Sequence, residues 1–278
     1  MTEFQCKNML EYMSKEKKLK EYLSLFDKAF VAFSGGVDST YLLAAAHEAL
    51  GERVTAVTAL SSFFPKRETQ GAIDFCKNKG IKQILVEIDE KKIENFEQNP
   101  PDRCYFCKKH IFTKMTECAD AVGAVMLDGS NADDVQDYRP GMKAIRELGV
   151  HSPLLEVGLT KKEIRFLSEK AGLSTYDKPS FACLASRFGY GESITKEKLS
   201  MVEKAEQYLY DAGLTQFRVR YHNALARIEV LPDEFFKILK LKDALCERFE
   251  EIGFCFVSLD LRGYSMGNMN NELRDKDV

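Results

Sequence analysis

The sequence predicts an α/β protein, in which a parallel sheet carries helices on both faces and a small α+β domain follows at the C-terminal end. Three observations carry this prediction. Short apolar runs alternate with segments of helical spacing in the first half. A Gly-Gly turn joins the first run to the next helix, and the alternation ends near residue 193. We therefore predict two domains, residues 1–192 and 193–278.

The first domain is predicted from the alternation itself. Its strands are short apolar runs between turn signals, at 28–33, 53–60, 82–88 and 124–129. Its helices are an amphipathic segment at the N-terminus, 37–50 ended by Gly51, 66–80 ended by Gly80, and one that begins near Arg103. Because short connections link strand to helix to strand, the sheet is expected to be parallel and covered on both faces.

The second domain shows a different pattern. A helix is predicted at 195–213, and the strands at 216–222 and 225–231 are separated by a very short turn, which is typical of a hairpin. One further helix is predicted at 233–253 and a last strand at 254–261. This order favours a small α+β unit.

Composition limits the class of protein. Apolar residues make up 45% of the chain and charged residues 30%, which is typical of a globular protein with a sizeable core. Forty basic and 43 acidic residues give a net charge of −3, which argues against a general nucleic-acid binder. We expect a cytoplasmic protein with no membrane segment, since we find neither a signal peptide nor a long apolar stretch.

The stretch FSGGVDST, residues 33–40, lies between the first strand and its helix. A glycine-rich turn at a helix N-terminus directs backbone N–H groups at one point, which suits phosphate. We predict that nucleotide phosphates are bound here by Ser34, Gly35, Gly36, Asp38 and Ser39, with Asp38 acting through Mg²⁺. The S-G-G-x-D-S string resembles the signature of the PP-loop pyrophosphatases, which implies ATP, cleavage between its α and β phosphates, and transfer of AMP.

The stretch LDGSNADD, residues 127–134, follows another predicted strand. Ligands gather at the carboxyl ends of strands in an open parallel sheet. We therefore predict that Asp128 and Asn131, with Asp133 and Asp134 beside them, hold Mg²⁺ or the nucleotide. A solvated Asn/Asp turn is the simpler alternative.

Cysteines form the other candidate centre. Cys104 and Cys107 make a C-x-x-C, and Cys183 lies far downstream in SFACLASRF. Three thiolates can hold three irons of a 4Fe–4S cluster and leave the fourth iron open for chemistry. A zinc site completed by His110, or a redox pair, stays open as an alternative.

The remaining cysteines have apolar neighbours in helical or strand patterns. We predict that they are small core residues. They are Cys6, Cys76, Cys118, Cys246 and Cys255.

Several longer strings strengthen the resemblance: LDGSNADDVQDYRPGMKA, SPLLE, ASRFGYG, VRYHNALARIE and DLRGYSMGNMN. Together with the PP-loop they resemble, over nearly the whole chain, the LarE family of ATP-dependent sulfur transferases. The resemblance implies a Rossmann-like PP-loop fold. It also implies a two-step reaction, in which a carboxylate of pyridinium-3,5-biscarboxylic acid mononucleotide is adenylated and sulfur then displaces AMP. The product is a thiocarboxylate used for the nickel-pincer cofactor.

Members of this family differ in their sulfur source. In one kind a single cysteine before the S-R-F segment gives up its sulfur, and that kind lacks the C-x-x-C. This chain is similar instead to the members in which three cysteines bind a 4Fe–4S cluster. The resemblance therefore implies that Cys104, Cys107 and Cys183 bind the cluster and are catalytic, and that Asp38 of the PP-loop is a further catalytic residue.

The same resemblance implies a substrate site. It assigns Arg218, Arg220 and Glu229 to substrate binding, and it also points to Glu206. Arginines two apart on a strand share a face and can clamp a phosphate or carboxylate. Arg187, beside Cys183, is expected to neutralise adenylate or pyrophosphate charge. An exposed basic face is the simpler alternative for the two strand arginines, and a structural role is preferred for His222.

Three other functions fit the residues less well. A PP-loop enzyme that thiolates tRNA shares the chemistry but should carry a basic surface or zinc-ribbon ends. An ammonia-using ligase, such as an NAD or asparagine synthetase, leaves the three cysteines without a role. A nucleotide sensor without chemistry would have little use for a cluster. The expected partners are ATP, the small carboxylate, and sulfide or a sulfur donor, and the resemblance implies a homo-oligomer, with a hexamer as the candidate.

Overall fold

The computed structural model describes residues 3–135, 140–180, 182–265 and 267–268. It divides into two compact units. The first comprises residues 1–61, 66–94 and 102–180, and the second comprises 62–65, 95–101 and 181–278. Residues 181–192 thus group with the second unit, whereas the sequence prediction placed the boundary at 192/193. None of the helices in the described part of the chain combines the length and the apolar run that crossing a bilayer requires.

The first unit contains a four-stranded parallel sheet in the order β3-β2-β1-β4. The predicted parallel α/β architecture is confirmed. Its strands are β1 (Ala29–Ala32), β2 (Val54–Leu60), β3 (Lys82–Glu87) and β4 (Val125–Leu127). Its helices are α1 (Glu3–Leu23), α2 (Val37–Leu50), α3 (Lys66–Lys79), α4 (Arg103–Asp120), α5 (Pro140–Glu147), α6 (Pro153–Glu156) and α7 (Lys161–Lys170).

The core of the first unit lies where β1 and β2 meet α2. Val31 and Ala56 on the strands and Leu42, Leu43 and Ala46 on the helix are all completely buried. Burying each of the valine and leucine side chains stabilises the fold by roughly 1.5–3 kcal/mol. Strand β3 lies at the sheet edge, and there Leu85 stays exposed.

The strand order fixes where ligands can gather. The chain runs from β1 outward to β2 and β3, and then returns to place β4 on the other side of β1. A crevice opens at such a reversal, at the carboxyl ends of the neighbouring strands. The turn after β1 and the loop after β4 both start at this point, since Val31 pairs with Leu127.

The second unit is built on a three-stranded sheet in the order β5-β6-β7. Its elements are α8 (Lys196–Asp211), β5 (Phe217–His222), β6 (Leu225–Val230), α9 (Phe235–Lys240), α10 (Lys242–Ile252) and β7 (Phe256–Leu259). The predicted hairpin is confirmed, because β5 and β6 are antiparallel and only Asn223 and Ala224 connect them. Both residues have positive φ, as a two-residue turn of this kind requires.

Two predictions about this unit are wrong. The single helix expected at 233–253 is two helices, interrupted at Leu241 with φ −92° and ψ 1°. Leucine favours helices, so propensity gives no sign of the break. Cys246 and Cys255 were expected in the core, but both are exposed, since one lies on the outer side of α10 and the other precedes the edge strand β7.

The other cysteines expected in the core differ in outcome. Cys76 is buried, as predicted, and burial raises the pKa of its thiol to about 11. Cys118 is only half-buried. The side chain of Cys6 lies outside the described residues.

Candidate functional site

The glycine-rich turn after β1 has the geometry that phosphate binding needs. Gly35 adopts φ +72°, and a Cβ there would lie 3.3 Å from the Cβ of Ala72. Ser34 and Ser39 approach each other, with 3.1 Å between their hydroxyl oxygens. Helix α2 begins directly afterwards, so its first N–H groups and its positive dipole end face the same point.

Asp38 lies in the first turn of α2, beside these hydroxyls. One carboxylate oxygen, Oδ2, forms an ion pair with the ammonium of Lys161. The other, Oδ1, is buried and has no hydrogen-bond partner among the described residues. Burial raises the pKa of Asp38, and the neighbouring Lys161 opposes that shift. A buried carboxylate oxygen without a partner fits a hard cation such as Mg²⁺, which binds through one or two carboxylates plus substrate phosphates.

Lys161 is the first residue of α7, and its backbone is held on two sides. The Thr160 hydroxyl and the Glu163 carboxylate form a capping box around the start of this helix. The backbone N–H of Lys161 donates to Asp133 Oδ2 at 2.8 Å. These contacts direct the side chain of Lys161 toward the PP-loop.

The loop after β4 uses most of its polar groups to hold its own shape. Asp128 accepts hydrogen bonds from Ser130 and Ser152, each at 2.5 Å. The side-chain oxygen of Asn131 accepts from the backbone N–H of Asp133 at 2.9 Å. Asp128 and Asn131 are both buried. Their predicted role at the nucleotide stays a prediction, and the contacts shown are those of a folded Asx-rich turn.

Gly129 explains why this loop matters for the site. A Cβ at Gly129 would lie 3.1 Å from the backbone nitrogen of Ser39. The loop after β4 therefore lies directly against the first turn of α2. Its hydrogen bonds fix the wall of the crevice beside the PP-loop.

A second lysine reaches the PP-loop. Lys178 donates to the carbonyl oxygen of Gly35 at 3.0 Å and pairs with Glu68 at 2.8 Å. Arg165 anchors this segment through the carbonyl oxygens of Tyr176 at 2.6 Å and Lys178 at 2.9 Å. Behind the turn lies a cavity of about 420 Å³, lined by residues that include Gly35, Thr40, Phe75, Thr175 and Lys178.

Cys104 and Cys107 lie in the first turns of α4, three residues apart and so on one side of the helix. Cys104 is exposed and Cys107 half-buried. The guanidinium of Arg103 lies 3.8 Å from the sulfur of Cys104, a contact that suits a thiolate. His110 Nε2 is buried without a hydrogen-bond partner among the described residues, and burial lowers the pKa of its imidazole.

The positions of the side chains decide whether a metal fits. Within the described ranges, no three His, Cys, Asp or Glu side chains are grouped so that they could hold a metal ion. This applies to Cys104, Cys107 and His110, which all belong to the first unit. The thiols of Cys104 and Cys107 suit iron, and the third cysteine of the predicted set, Cys183, belongs to the second unit.

In the second unit, Cys183 precedes a short 3₁₀ turn, Leu184–Arg187, and a buried arginine controls its backbone. Arg187 Nη1 donates to the carbonyl oxygens of Ala182 at 2.8 Å and Cys183 at 3.0 Å. Its Nε and Nη2 each bond a carboxylate oxygen of Glu206 at 2.8 Å, and both side chains are fully buried. Arg187 thus positions the Cys183 segment, while its predicted contact with adenylate or pyrophosphate stays a prediction.

Charged side chains cover one face of the hairpin. Arg218 lies opposite Glu229 and Arg220 opposite Arg227, so all four side chains share that face. Arg220 bonds Glu229 at 2.8 Å and the carbonyl of Ser186 at 2.7 Å. The same Glu229 accepts from Arg227 at 2.9 Å. Because Arg218 and Arg220 are buried, this is not the exposed basic face that was the simpler alternative.

Two features bear on anion binding at this face. Arg220 Nε is buried with no hydrogen-bond partner among the described residues. Burial, with Arg187 as the next cause, lowers the pKa of Arg218 to about 10. The ring of Tyr264 lies 5.0 Å from the guanidinium carbon of Arg218.

His222 accepts a hydrogen bond from Arg227 Nε at 3.2 Å, in keeping with its predicted structural role.

The sequence reasoning missed three of the residues around the PP-loop: Lys161, Arg165 and Lys178. A signal existed for Lys161, because T-K-K-E at 160–163 is a capping-box pattern that marks the start of a helix. Lys178 had no comparable signal, since its position depends on contacts between segments distant in sequence.

The chain is similar to known proteins over most of its length. The NAD synthase family model matches residues 11–117, which include the PP-loop turn. The chain is 42% identical over 269 residues to an uncharacterized protein of Synechocystis sp., covering 95% of this chain and 99% of that protein. It is 35% identical over 267 residues to the pyridinium-3,5-bisthiocarboxylic acid mononucleotide synthase of Lactiplantibacillus plantarum, covering 95% and 97%. It is 30% identical over 241 residues to an uncharacterized protein of Methanocaldococcus jannaschii, covering 85% and 90%.

Proposed function

Because the chain belongs to the LarE family of pyridinium-3,5-bisthiocarboxylic acid mononucleotide synthases, we propose that it is an ATP-dependent sulfurtransferase acting on a carboxylate of pyridinium-3,5-biscarboxylic acid mononucleotide. The product would be a thiocarboxylate that serves nickel-pincer cofactor biosynthesis. The observation that carries the proposal is the PP-loop turn, with Gly35 at φ +72° and two serine hydroxyls 3.1 Å apart at a helix N-terminus.

The reaction has two steps. The substrate carboxylate attacks the α-phosphorus of ATP, pyrophosphate leaves, and an acyl-adenylate forms. A sulfur nucleophile then attacks the acyl carbon, and AMP leaves with the former carboxylate oxygen. The serine hydroxyls and the N–H groups of the first turn of α2 bind the phosphate oxygens and stabilise charge on the departing pyrophosphate. Mg²⁺, held through Asp38, would neutralise part of that charge.

The buried face of the hairpin is proposed as the substrate site. Arg218 and Arg220 offer guanidinium donors for a phosphate or a carboxylate. Glu229, bonded to two arginines, fixes their orientation. Support comes from the burial of this face and from the unpartnered Nε of Arg220 among the described residues.

The sulfur source is proposed to be a 4Fe–4S cluster on Cys104, Cys107 and Cys183, as the family resemblance implies. When bound, such a cluster would supply sulfide carried on an iron without a protein ligand. The proposal is supported by the presence of all three thiols and by the Arg103 contact to Cys104. The described residues form no group of three His, Cys, Asp or Glu side chains that could hold a metal ion, and Cys183 belongs to a different unit from Cys104 and Cys107. Sacrifice of the Cys183 sulfur is the alternative within the same reaction.

The experiment measures pyrophosphate and AMP from ATP with the purified chain, Mg²⁺, sulfide and the dicarboxylate, under anaerobic conditions. We expect pyrophosphate only when the carboxylate is present, and a thiocarboxylate product by mass spectrometry. Two variations of this assay test the rival enzymes. Ammonia replaces sulfide in one, and unmodified tRNA replaces the dicarboxylate in the other. Amide formation or tRNA thiolation would contradict the proposal.

A further inference from the structure

The ion pair between Asp38 and Lys161 lies beside the PP-loop turn. Asp38 belongs to α2 and Lys161 to α7, and the side chains are only partly exposed, at 22% and 36%. An ammonium at the first position of a helix faces the positive end of that helix, which is unfavourable by a few tenths of a kcal/mol or more. The pair therefore has to be explained by the site that it occupies.

The surroundings of Asp38 show what the lysine does there. The carboxylate is largely buried, and Asp134 adds a further negative charge nearby. Lys161 and Arg165 are the cations that act on it. Only Lys161 makes direct contact, with Oδ2, while Oδ1 is left buried without a partner among the described residues. Lys161 is thus the resident cation of a carboxylate that suits a metal ion.

An ammonium and a divalent cation compete for one carboxylate. Whichever cation leaves Asp38 is still close to the turn where the nucleotide phosphates would bind. The lysine side chain is flexible and carries three donors, so it can exchange a carboxylate for a phosphate without movement of α7. Meanwhile, the capping box and the bond to Asp133 hold its backbone.

We propose that Lys161 is a counter-ion that exchanges partners: it neutralises Asp38 in the empty site, and it transfers to the nucleotide phosphates when Mg²⁺ takes its place on Asp38. This inference rests on the proposed ATP site. It assigns Lys161 to phosphate binding in the adenylation step, and it makes Mg²⁺ the trigger that releases this lysine. In the absence of Mg²⁺, Lys161 stays paired with Asp38 and does not bind the phosphates.

The test measures affinity rather than turnover. Binding of α,β-methylene-ATP, which cannot be cleaved between its α and β phosphates, is followed by calorimetry in EDTA and in Mg²⁺. Four proteins are compared: wild type, Asp38→Asn, the double variant Asp38→Asn/Lys161→Met, and the control Asp38→Asn/Lys162→Met. Lys162 is the neighbour of Lys161 on the same helix.

We expect Asp38→Asn to free Lys161, so that the analogue binds about tenfold more tightly in EDTA than it does to wild type, and Mg²⁺ adds little. The double variant with Lys161→Met should lose this gain, and the one with Lys162→Met should retain it. A gain that persists without Lys161 would mean that only carboxylate repulsion was relieved, and it would overturn the exchange. No change in Asp38→Asn would overturn it as well. If wild type does not bind the analogue with Mg²⁺, both the proposed nucleotide site and the proposed exchange are wrong.

Discussion

At the scale of single residues, Gly35 and Gly36 show how different the demands on two adjacent glycines are. Gly35 has φ +72° and contacts Ala72 closely. Gly36 has φ −80°, and a Cβ there would meet only the Ser34 hydroxyl, at 3.5 Å. The motif contains both glycines, but the backbone requires glycine at one of them. The other leaves space for a ligand to approach.

Gly35→Ala should therefore destabilise the chain by about 1–2 kcal/mol, because an L residue is strained at this φ and its Cβ presses on α3. Gly36→Ala should change the free energy of unfolding by less than about 0.5 kcal/mol, since its conformation is open to any residue. Urea unfolding of both variants measures the difference. Equal losses would show that strain at Gly35 is not what separates the two positions.

Glu206 illustrates a buried residue that acts through another. Burial by itself would raise the pKa of its carboxyl, but Arg187 and Arg218 and the N–H of Val219 together hold that pKa below its usual value. Because the pKa of Glu206 is lower in the folded chain, the unfolded chain binds the proton more tightly. The Glu206–Arg187 pair therefore contributes its full stability at a pH above the pKa that Glu206 has in the unfolded chain. That contribution is lost as the pH falls through the lowered pKa of the folded state.

Glu206→Gln should cost about 3–5 kcal/mol of unfolding free energy at neutral pH, because it leaves Arg187 buried without its counter-charge. The matched control is Glu251→Gln, which breaks the exposed Arg248–Glu251 pair and should cost under about 1 kcal/mol. Acid titration of both variants adds a second readout. As the pH falls below the usual pKa of a glutamate carboxyl, the stability advantage of wild type over Glu206→Gln should shrink. If the free energies of unfolding of the two proteins change in parallel with pH, the role given to this ion pair is refuted.

At the scale of elements, the sequence predicts well wherever local rules decide the structure. The strands β1, β2 and β4 are short apolar runs, and the hairpin turn is short enough to leave only one topology. Prediction from the sequence fails where contacts between distant segments determine the structure. Leu241 interrupts a helix in spite of its propensity, and Lys178 reaches the PP-loop only because Arg165 anchors its segment. Helix α7 lies between these cases, because the T-K-K-E pattern at 160–163 marks its start, whereas the contact of Lys161 with Asp38 depends on the tertiary fold.

Helix α7 supplies a prediction at this scale. Thr160→Ala removes the hydroxyl that accepts from the N–H of Glu163, and should cost about 1 kcal/mol of stability. Because Lys161 is the next residue, the substitution should also weaken binding of the Mg²⁺ complex of α,β-methylene-ATP. Thr160→Ser keeps the cap and should behave as wild type in both measurements. Loss of stability without loss of affinity would separate the cap from the nucleotide site.

At the scale of the whole molecule, the resemblance extends over almost the entire chain, but it does not decide where the sulfur comes from. The match to the synthase of Lactiplantibacillus plantarum covers 95% of this sequence, and the name of that protein states a product and not a sulfur donor. The three cysteines of interest are divided between the two units, with Cys104 and Cys107 in the first and Cys183 in the second. A family match cannot tell a cluster from a sacrificed thiol, so the decision needs chemistry measured on each cysteine.

Single substitutions to serine at Cys104, Cys107 and Cys183 make that measurement. If a cluster is the sulfur source, anaerobic wild type should hold about four irons and four acid-labile sulfides per chain, and each substitution should lower both. Cys246→Ser is the control, since that thiol is exposed on α10 and its substitution should leave iron unchanged.

The expected results differ for each alternative to the cluster. Zinc in place of iron would indicate a structural site, in which loss of His110 also releases metal. An iron-free protein that still forms product, with Cys183 converted to dehydroalanine, would show that the thiol itself is consumed. In that case Cys183→Ser alone would abolish sulfur transfer, and Cys104→Ser and Cys107→Ser would retain it.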